Sequence, residues 1–387
     1  MDPQTQFCPN EGCVARGQVG QGNIRVHSWH EHRYRCRRCG TTFAATTGTP
    51  FYRLQTAAET VTLVVTLLAH GCPLQAIVAA FGMDERTVAA WQAKAGTHCQ
   101  HVHEHLVQQG GQGALELQHV QADELWVKVV GAKVWMAMAM AVPSRLWLGG
   151  AVSAQCDGRL IATLVGLVRA AAGHAWGKSS HLLVCVDGLA SYVTAFGRAF
   201  RLPVRTGQVG RPRLVLPDGF LLGQVVKQYA KRHVTGVVHR AVCGTATAII
   251  AHLAATHGGT VINTAYIERL NATFRQHLVP LVRRGRALAR TTTVLTAGMY
   301  LVGGAYNLCW YHDSLRQAAP PGAPTRWTER TPARAAGLTG HRWTMAELLH
   351  YQVPLPAWVA PKRRGHPPKR VLPLTLPSMP PPAVAAA

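Results

Sequence analysis

Carboxylates are scarce in this chain, so the few that persist in apolar surroundings carry information. Seventeen Asp and Glu stand against 40 Lys and Arg, and between Leu125 and His312 only Asp157, Asp187, Asp218 and Glu268 occur. Two-metal phosphoryl transfer needs a few carboxylates at one point, where two ions roughly 3.5–4 Å apart clamp the attacking and leaving oxygens. Mg²⁺, or Mn²⁺ in its place, suits such oxygen ligands. Asp123 lies in an apolar strand, and Asp187 ends the run HLLVCVD, at the strand end where open α/β sheets bind ligands. Glu268 falls on a helix expected from Ala265 to about His277. There Glu268, Asn271 and Arg275 stand at i, i+3 and i+7 and share a face, with Arg269 beside them. A carboxylate, an amide and a guanidinium on one face suit a metal and neighbouring phosphates; a solvated, salt-bridged face is the plainer reading. Glu124 competes with Asp123: strand neighbours point to opposite faces, so only one of the two is expected at the site. Asp157 and Asp218 each precede Gly and read as turn residues.

Thiols form the second constellation. Cys8-x4-Cys13 and Cys36-x2-Cys39, 22 residues apart, can place four thiolates tetrahedrally around a structural Zn²⁺. His27, His30 or His32 is an alternative ligand for one position. The intervening RVHSWHEHRYR reads as a hairpin, and so small a module would draw much of its folding energy from the metal. The remaining six cysteines stand singly among mostly apolar neighbours and read as small buried hydrophobes.

The elements that must position these groups follow from periodicity. Helical spacing runs from about Thr56 to Gln100, broken at Gly71-Cys72 and at Gly82, with Asp84 suited to cap a third helix. Helix, short turn, helix is a helix-turn-helix layout. Arg86, Thr87, Gln92 and Lys94 are expected on the exposed side of the third helix, with Val88 and Trp91 facing inward. Three apolar segments with short links, LQHVQADELWVKVV, VWMAMAMAV and RLWLGGAVS, predict an antiparallel meander. A helix around Leu160–Val168 and the doubly buried strand HLLVCVD follow. That order opens an RNase H-like α/β fold.

Net charge is +23, a field that attracts polyanions. No apolar run reaches the length of a membrane span and no secretory leader is evident, so a cytoplasmic, nucleoid-associated protein is expected. The Pro-rich end, with Lys362-Arg363-Arg364 and Lys369-Arg370, reads as a basic disordered tail. Gly210-Arg211-Pro212-Arg213 reads as a surface turn or a minor-groove contact.

The stretches CPNEGC, RYRCRRCGTTFAATTGTPFY, ADELW, VDGLASY, INTAYIERLNATFR and AGMYLVGGAYNLCWYHDSLR together resemble the DDE transposases of small bacterial insertion sequences, of the insertion-sequence-one type. The resemblance implies that Asp123, rather than Glu124, joins Asp187 and Glu268 as the catalytic metal ligands. It further implies an AT-hook-like tail, in which His366 stands where arginine is expected. The expected organisation is a zinc ribbon (1–54), a helix-turn-helix DNA-binding domain (55–110), an RNase H-like catalytic domain (115–315, with about 201–263 inserted) and a C-terminal extension (316–387). Double-stranded DNA, as element ends and target, is the expected partner of a homo-oligomer. Arg269, Asn271, Arg275, Arg283 and Arg284 would join the helix-turn-helix residues in holding it. The alternative is a catalytically inactive, sequence-specific DNA-binding regulator.

Overall fold

A computed structural model describes residues 1–109, 115–173, 176, 181–205, 207, 210–231, 233–282 and 288–360. Arg283, Arg284 and the basic residues 362–370 lie outside the described residues. The chain forms two compact units, Met1–Phe43 with residues 355–360, and Ala44–Pro354.

In the first unit, β1 (Ile24–Ser28) and β2 (Arg33–Cys36) form the expected hairpin, joined by β3 (Thr42–Ala44) in a three-stranded sheet.

The second unit is mixed α/β. It opens with α1 (Ala58–Ala69), α2 (Leu74–Phe81) and α3 (Glu85–His103). Pro73 precedes α2, and Gly82 closes it in the left-handed conformation at φ 62°, which glycine adopts without Cβ strain. Asp84 caps α3 by accepting from the Arg86 and Thr87 N–H groups. The meander is β4 (His119–Val129), β5 (Ala132–Ala141) and β6 (Leu146–Ser153). Then come α4 (Gly158–Ala172), capped by Asp157, β7 (Leu182–Asp187) and α5 (Ala190–Ala199). The stretch after Arg201 supplies the short pair β8 (Leu202–Val204) and β9 (Arg213–Val215), the hairpin β10 (Phe220–Ala230) and β11 (His233–Cys243), and α6 (Ala246–Ala255). The remaining elements are α7 (Ala265–His277), α8 (Thr292–Leu308), the pair β12 (Gln317–Ala318) and β13 (Trp327–Thr328), α9 (Pro332–Ala335) and α10 (Met345–His350).

Six strands make one mixed sheet in the order β11-β10-β7-β4-β5-β6. The β10–β7 and β7–β4 pairs are parallel and the others antiparallel. Leu182–Val186 of β7 are all buried, as a strand covered on both faces requires. Even-numbered residues of β7 join the main core and odd-numbered ones a smaller cluster with Ile249, Leu253 and Ile262. Among the described residues no helix is long and apolar enough to cross a membrane.

The three N-terminal helices belong to the same core as the sheet. A Cβ on Gly96 of α3 would lie 2.3 Å from the Ala297 carbonyl oxygen of α8, so only glycine allows the two backbones to approach this closely. In turn α8 is tied to β6: the Asn307 amide accepts from Trp147 N at 2.9 Å and donates to Trp147 O at 2.9 Å, as a neighbouring strand would.

Gly96→Ala is therefore expected to lower stability by about 1–3 kcal/mol through overpacking. Gly166→Ala in α4, with open space around its Cβ position, should instead be neutral or stabilising by about 0.5–1 kcal/mol. Thermal unfolding of both variants checks the contrast; equal effects would show that α3 and α8 do not meet at Gly96.

Candidate functional site

In the first unit Cys8, Cys13, Cys36 and Cys39 bring their sulfurs within 4.8 Å of one another. Cys8 and Cys39 Sγ are 3.6 Å apart, and Cys13 and Cys36 Sγ 3.9 Å. Four sulfurs at 2.3 Å from a tetrahedral ion stand about 3.8 Å from each other, so the set fits such an ion without rearrangement. Burial raises the Cys8 and Cys13 thiols, in Cys13 against a hydrogen bond that Ala15 N donates to its Sγ. Burial raises the Cys39 thiol, but hydrogen bonds from Thr41 and Asn10 outweigh it and bring the group down to about 6. None of His27, His30 and His32 belongs to the group.

In the second unit the acidic site is built from strand register. Ala122 of β4 pairs with Val186 of β7, so the next residues, Asp123 and Asp187, lie side by side where β7 ends. β7 pairs with β10 as far as Asp187↔Val225. The turn after Asp187 is held twice. Leu189 N donates to Asp187 Oδ1 at 3.1 Å, and the buried Gln224 amide donates to the Asp187 carbonyl at 3.1 Å.

Asp123, Glu124 and Asp187 place one carboxylate oxygen each within 4.8 Å of the others. The expectation that strand alternation admits only Asp123 or Glu124 is thus corrected. Alternation itself holds: Asp123 Oδ2 accepts from Asn271 Nδ2 of α7 at 2.7 Å, whereas Glu124 Oε2 accepts from the Tyr192 hydroxyl of α5 at 2.9 Å. Because β4 has no described β7 partner beyond Ala122, that edge of β4 is open, and the longer Glu124 side chain reaches the cluster from the other face.

Glu268 stands outside this group of three. Its Oε1 is 3.3 Å from Lys227 Nζ of β10 and accepts from the Thr264 hydroxyl at 3.1 Å. It is near enough to add to the charge felt by Asp123, as is Lys227 with opposite sign. The shared helix face is therefore split in use: Asn271 is buried against Asp123, while Glu268 is half exposed beside an ammonium.

Burial, then the Asp187 charge, raises the Asp123 carboxyl to about 6, with Glu268 adding to the rise and Lys227 opposing it. Burial and Asp187 likewise raise Glu124 to about 7, although the Tyr192 hydrogen bond favours its anion. Burial also raises Asp187, against the Leu189 N–H and Lys227. Buried, clustered carboxylates whose charge is only partly compensated carry this signature. Three hard oxygen donors together with the buried Asn271 Oδ1, which has no hydrogen-bond partner among the described residues, fit a divalent cation and its water.

The residues expected to touch DNA are distributed unevenly. Arg86 and Thr87 are exposed at the start of α3 and Gln92 is half-buried, while Val88 and Trp91 are buried as expected. Lys94 is exposed, but its ammonium donates to the Tyr52 carbonyl at 3.1 Å. Arg269 is exposed on α7 and Arg275 half-buried.

Sequence reasoning missed four residues. Fully buried Gln121, two positions before Asp123, accepts at Oε1 from the Tyr266 and Ile267 N–H groups at 3.0 and 3.1 Å and donates to the Asn263 carbonyl at 2.9 Å. It fixes the start of α7 over β4. Tyr192, Gln224 and Lys227 complete the surround. Gln121 and Gln224, polar residues inside apolar strand runs, were the available signal.

A carboxylate raised by folding contributes stability that is complete below its unfolded value, near 4, and lost as pH rises through the folded value. The metal-free protein should therefore lose stability between about pH 4 and pH 8, less steeply in Asp123→Asn. Mg²⁺ or Mn²⁺ should raise the melting temperature more at the upper end of that window, where the ligands are ionised. Calorimetry at both pH values checks this; an ion effect independent of pH would mean that these carboxylates do not bind it. No protein-family model matches the chain, and no match is found among curated proteins.

Proposed function

We propose that the chain is a DNA transposase that cuts and joins phosphodiester bonds at Asp123, Asp187 and Glu268, with Glu124 as an additional acidic group at the same point. The observation that carries this reading is the meeting of Asp123, Glu124 and Asp187 within 4.8 Å where β7 ends beside its parallel neighbour β4, in a chain of net charge +23. The sheet order β11-β10-β7-β4-β5-β6, with β4 and β7 parallel beside a meander, supports an RNase H-like domain. The two cysteine pairs support a zinc ribbon.

Bound divalent ions would polarise the scissile phosphate and lower the pKa of the attacking water or hydroxyl. The protein's own groups do the positioning. Asp123 is oriented by Asn271, Asp187 by Leu189 N–H and the Gln224-held turn, and Glu124 by Tyr192. Glu268 turns inward when Lys227 releases it. Arg269 and Arg275, on the same helix as Glu268, hold the phosphates on either side. Arg86 and Thr87, at the exposed start of α3, read element ends from the major groove. Pairing two ends requires a homo-oligomer on DNA.

Labelled duplex carrying the element's ends should be nicked to a 3′-hydroxyl with Mg²⁺ or Mn²⁺ and remain intact with EDTA. Asp123→Ala, Asp187→Ala and Glu268→Ala should each lose roughly 100-fold or more of that rate while still binding the duplex. Specific binding without nicking under any metal would establish the DNA-binding regulator instead.

Elemental analysis of purified protein should find one zinc per chain, lost in Cys36→Ser along with the folded signature of the first unit. A metal-free but folded ribbon would overturn the zinc assignment.

A further inference from the structure

The β10–β11 hairpin continues well past the sheet that it joins. The β10 half nearest the core, Phe220–Val225, is buried, whereas Lys227–Ala230 and most of β11 are exposed. β10 pairs with β7 only as far as Val225↔Asp187, so the two strands run on alone. Five more residues of β10 at about 3.4 Å each carry the ribbon some 17 Å beyond the acidic cluster, about the rise of five base pairs.

Its chemistry is one-signed. From Asp218 to Glu268 the sequence has four Lys and Arg and no Asp or Glu between them. On the described ribbon these are Lys227, Lys231 and Arg240, joined by His233 and His239. The register Val225↔His239, Lys227↔Val237 and Tyr229↔Val234 places Lys227, Tyr229, Val237 and His239 along one face. That face begins beside Asp187 and Glu268. Tyr229 is 64% exposed, an aromatic surface with no role in the core. Arg240, paired with Gln224, points from the other face.

We infer that this ribbon is a DNA-holding arm: it lies along the backbone of the duplex next to the phosphate held at Asp123 and Asp187, with Lys231 and Arg240 on phosphates and Tyr229 against sugar or base. A two-stranded ribbon fits a B-DNA groove, and an arm without acids presents no charge that a polyanion must avoid. β11 is also an unpaired sheet edge, which raises the alternative of a second copy pairing there. Antiparallel self-pairing would set basic residues against basic residues with no carboxylate to neutralise them, so duplex is the favoured occupant. The inference rests on the transposase reading for the position of the cut, but not for the binding itself.

The test uses the full chain and a random-sequence 30-base-pair duplex followed by fluorescence anisotropy over a range of salt. The variant Tyr229→Ala/Lys231→Ala/Arg240→Ala alters only exposed side chains, and Lys231→Glu alone serves as a second probe should the triple variant melt early. Each lost phosphate contact is expected to reduce the salt slope by about 0.9. The triple variant should therefore lose close to two units of slope and bind at least tenfold more weakly at low salt, with its sedimentation unchanged. Lys231→Arg should retain wild-type binding. Unchanged affinity and slope overturn the arm, and a change of sedimentation coefficient without loss of binding assigns the ribbon to self-association. Weakened binding in a protein that never nicks DNA would leave the arm standing and remove the transposase reading.

Discussion

The start of α7 over the sheet is pinned by one side chain. Gln121 projects from the first part of β4 and meets the Tyr266 and Ile267 N–H groups in the first turn of α7 and the Asn263 carbonyl just before it. Buried amides cost several kcal/mol if left unpaired, so these groups are satisfied only when the helix starts here and nowhere else. From that anchor one helical turn brings Asn271 to Asp123, and Glu268 falls opposite β10. Helix and strand are thus set relative to each other by a directional polar contact added to the apolar packing of Ile267, Leu270 and Phe274, which alone tolerates sliding. The nearby His119–Thr256 hydrogen bond ties α6 to the same strand.

Against this rigid frame stands an unfavourable charge arrangement. Three carboxylates converge at a strand end, and among the described residues the fold supplies partial compensation: a tyrosine hydroxyl, an asparagine amide, the Glu124 and Leu189 N–H groups and one lysine. Lys227 engages Glu268 directly and Asp123 and Asp187 through its field. Its ammonium is the nearest thing the chain has to a resident cation. Such a site is held together by the surrounding core, and it favours any divalent ion that can replace the missing charge.

Much of this was legible in the sequence because the signals are local. Cysteine spacing marked the thiolate group, and the apolar runs marked β4, β5, β6 and β7. Asp84 and Gly82 marked the ends of α3 and α2 through capping and φ preference. What was not legible depends on where strands stop. The rule of alternating faces is correct for Asp123 and Glu124, yet the expectation drawn from it, that only one of the two reaches the site, does not hold, because pairing of β4 with β7 ends at Ala122. Glu268 matched the helix expected for it, but its ion pair with Lys227 joins residues 41 positions apart and leaves no trace in either local pattern. The stretch after Arg201 resisted assignment for a similar reason: β10 is half core strand and half free ribbon, so neither periodicity runs its full length.

The contact at Gly96 has a consequence for measurement by the molecule itself. A DNA-reading helix joined by a flexible linker samples many distances from a cutting site, and its cuts scatter accordingly. Here α3 is locked to α8, α8 to β6 through Asn307, and β6 through the sheet to Asp123. The span from Arg86 to the carboxylates is therefore a ruler without a joint. Under the proposed transposase reading, a protein built this way would count a constant number of nucleotides between what it recognises and what it breaks, and a change in the glycine-to-carbonyl contact would recalibrate it.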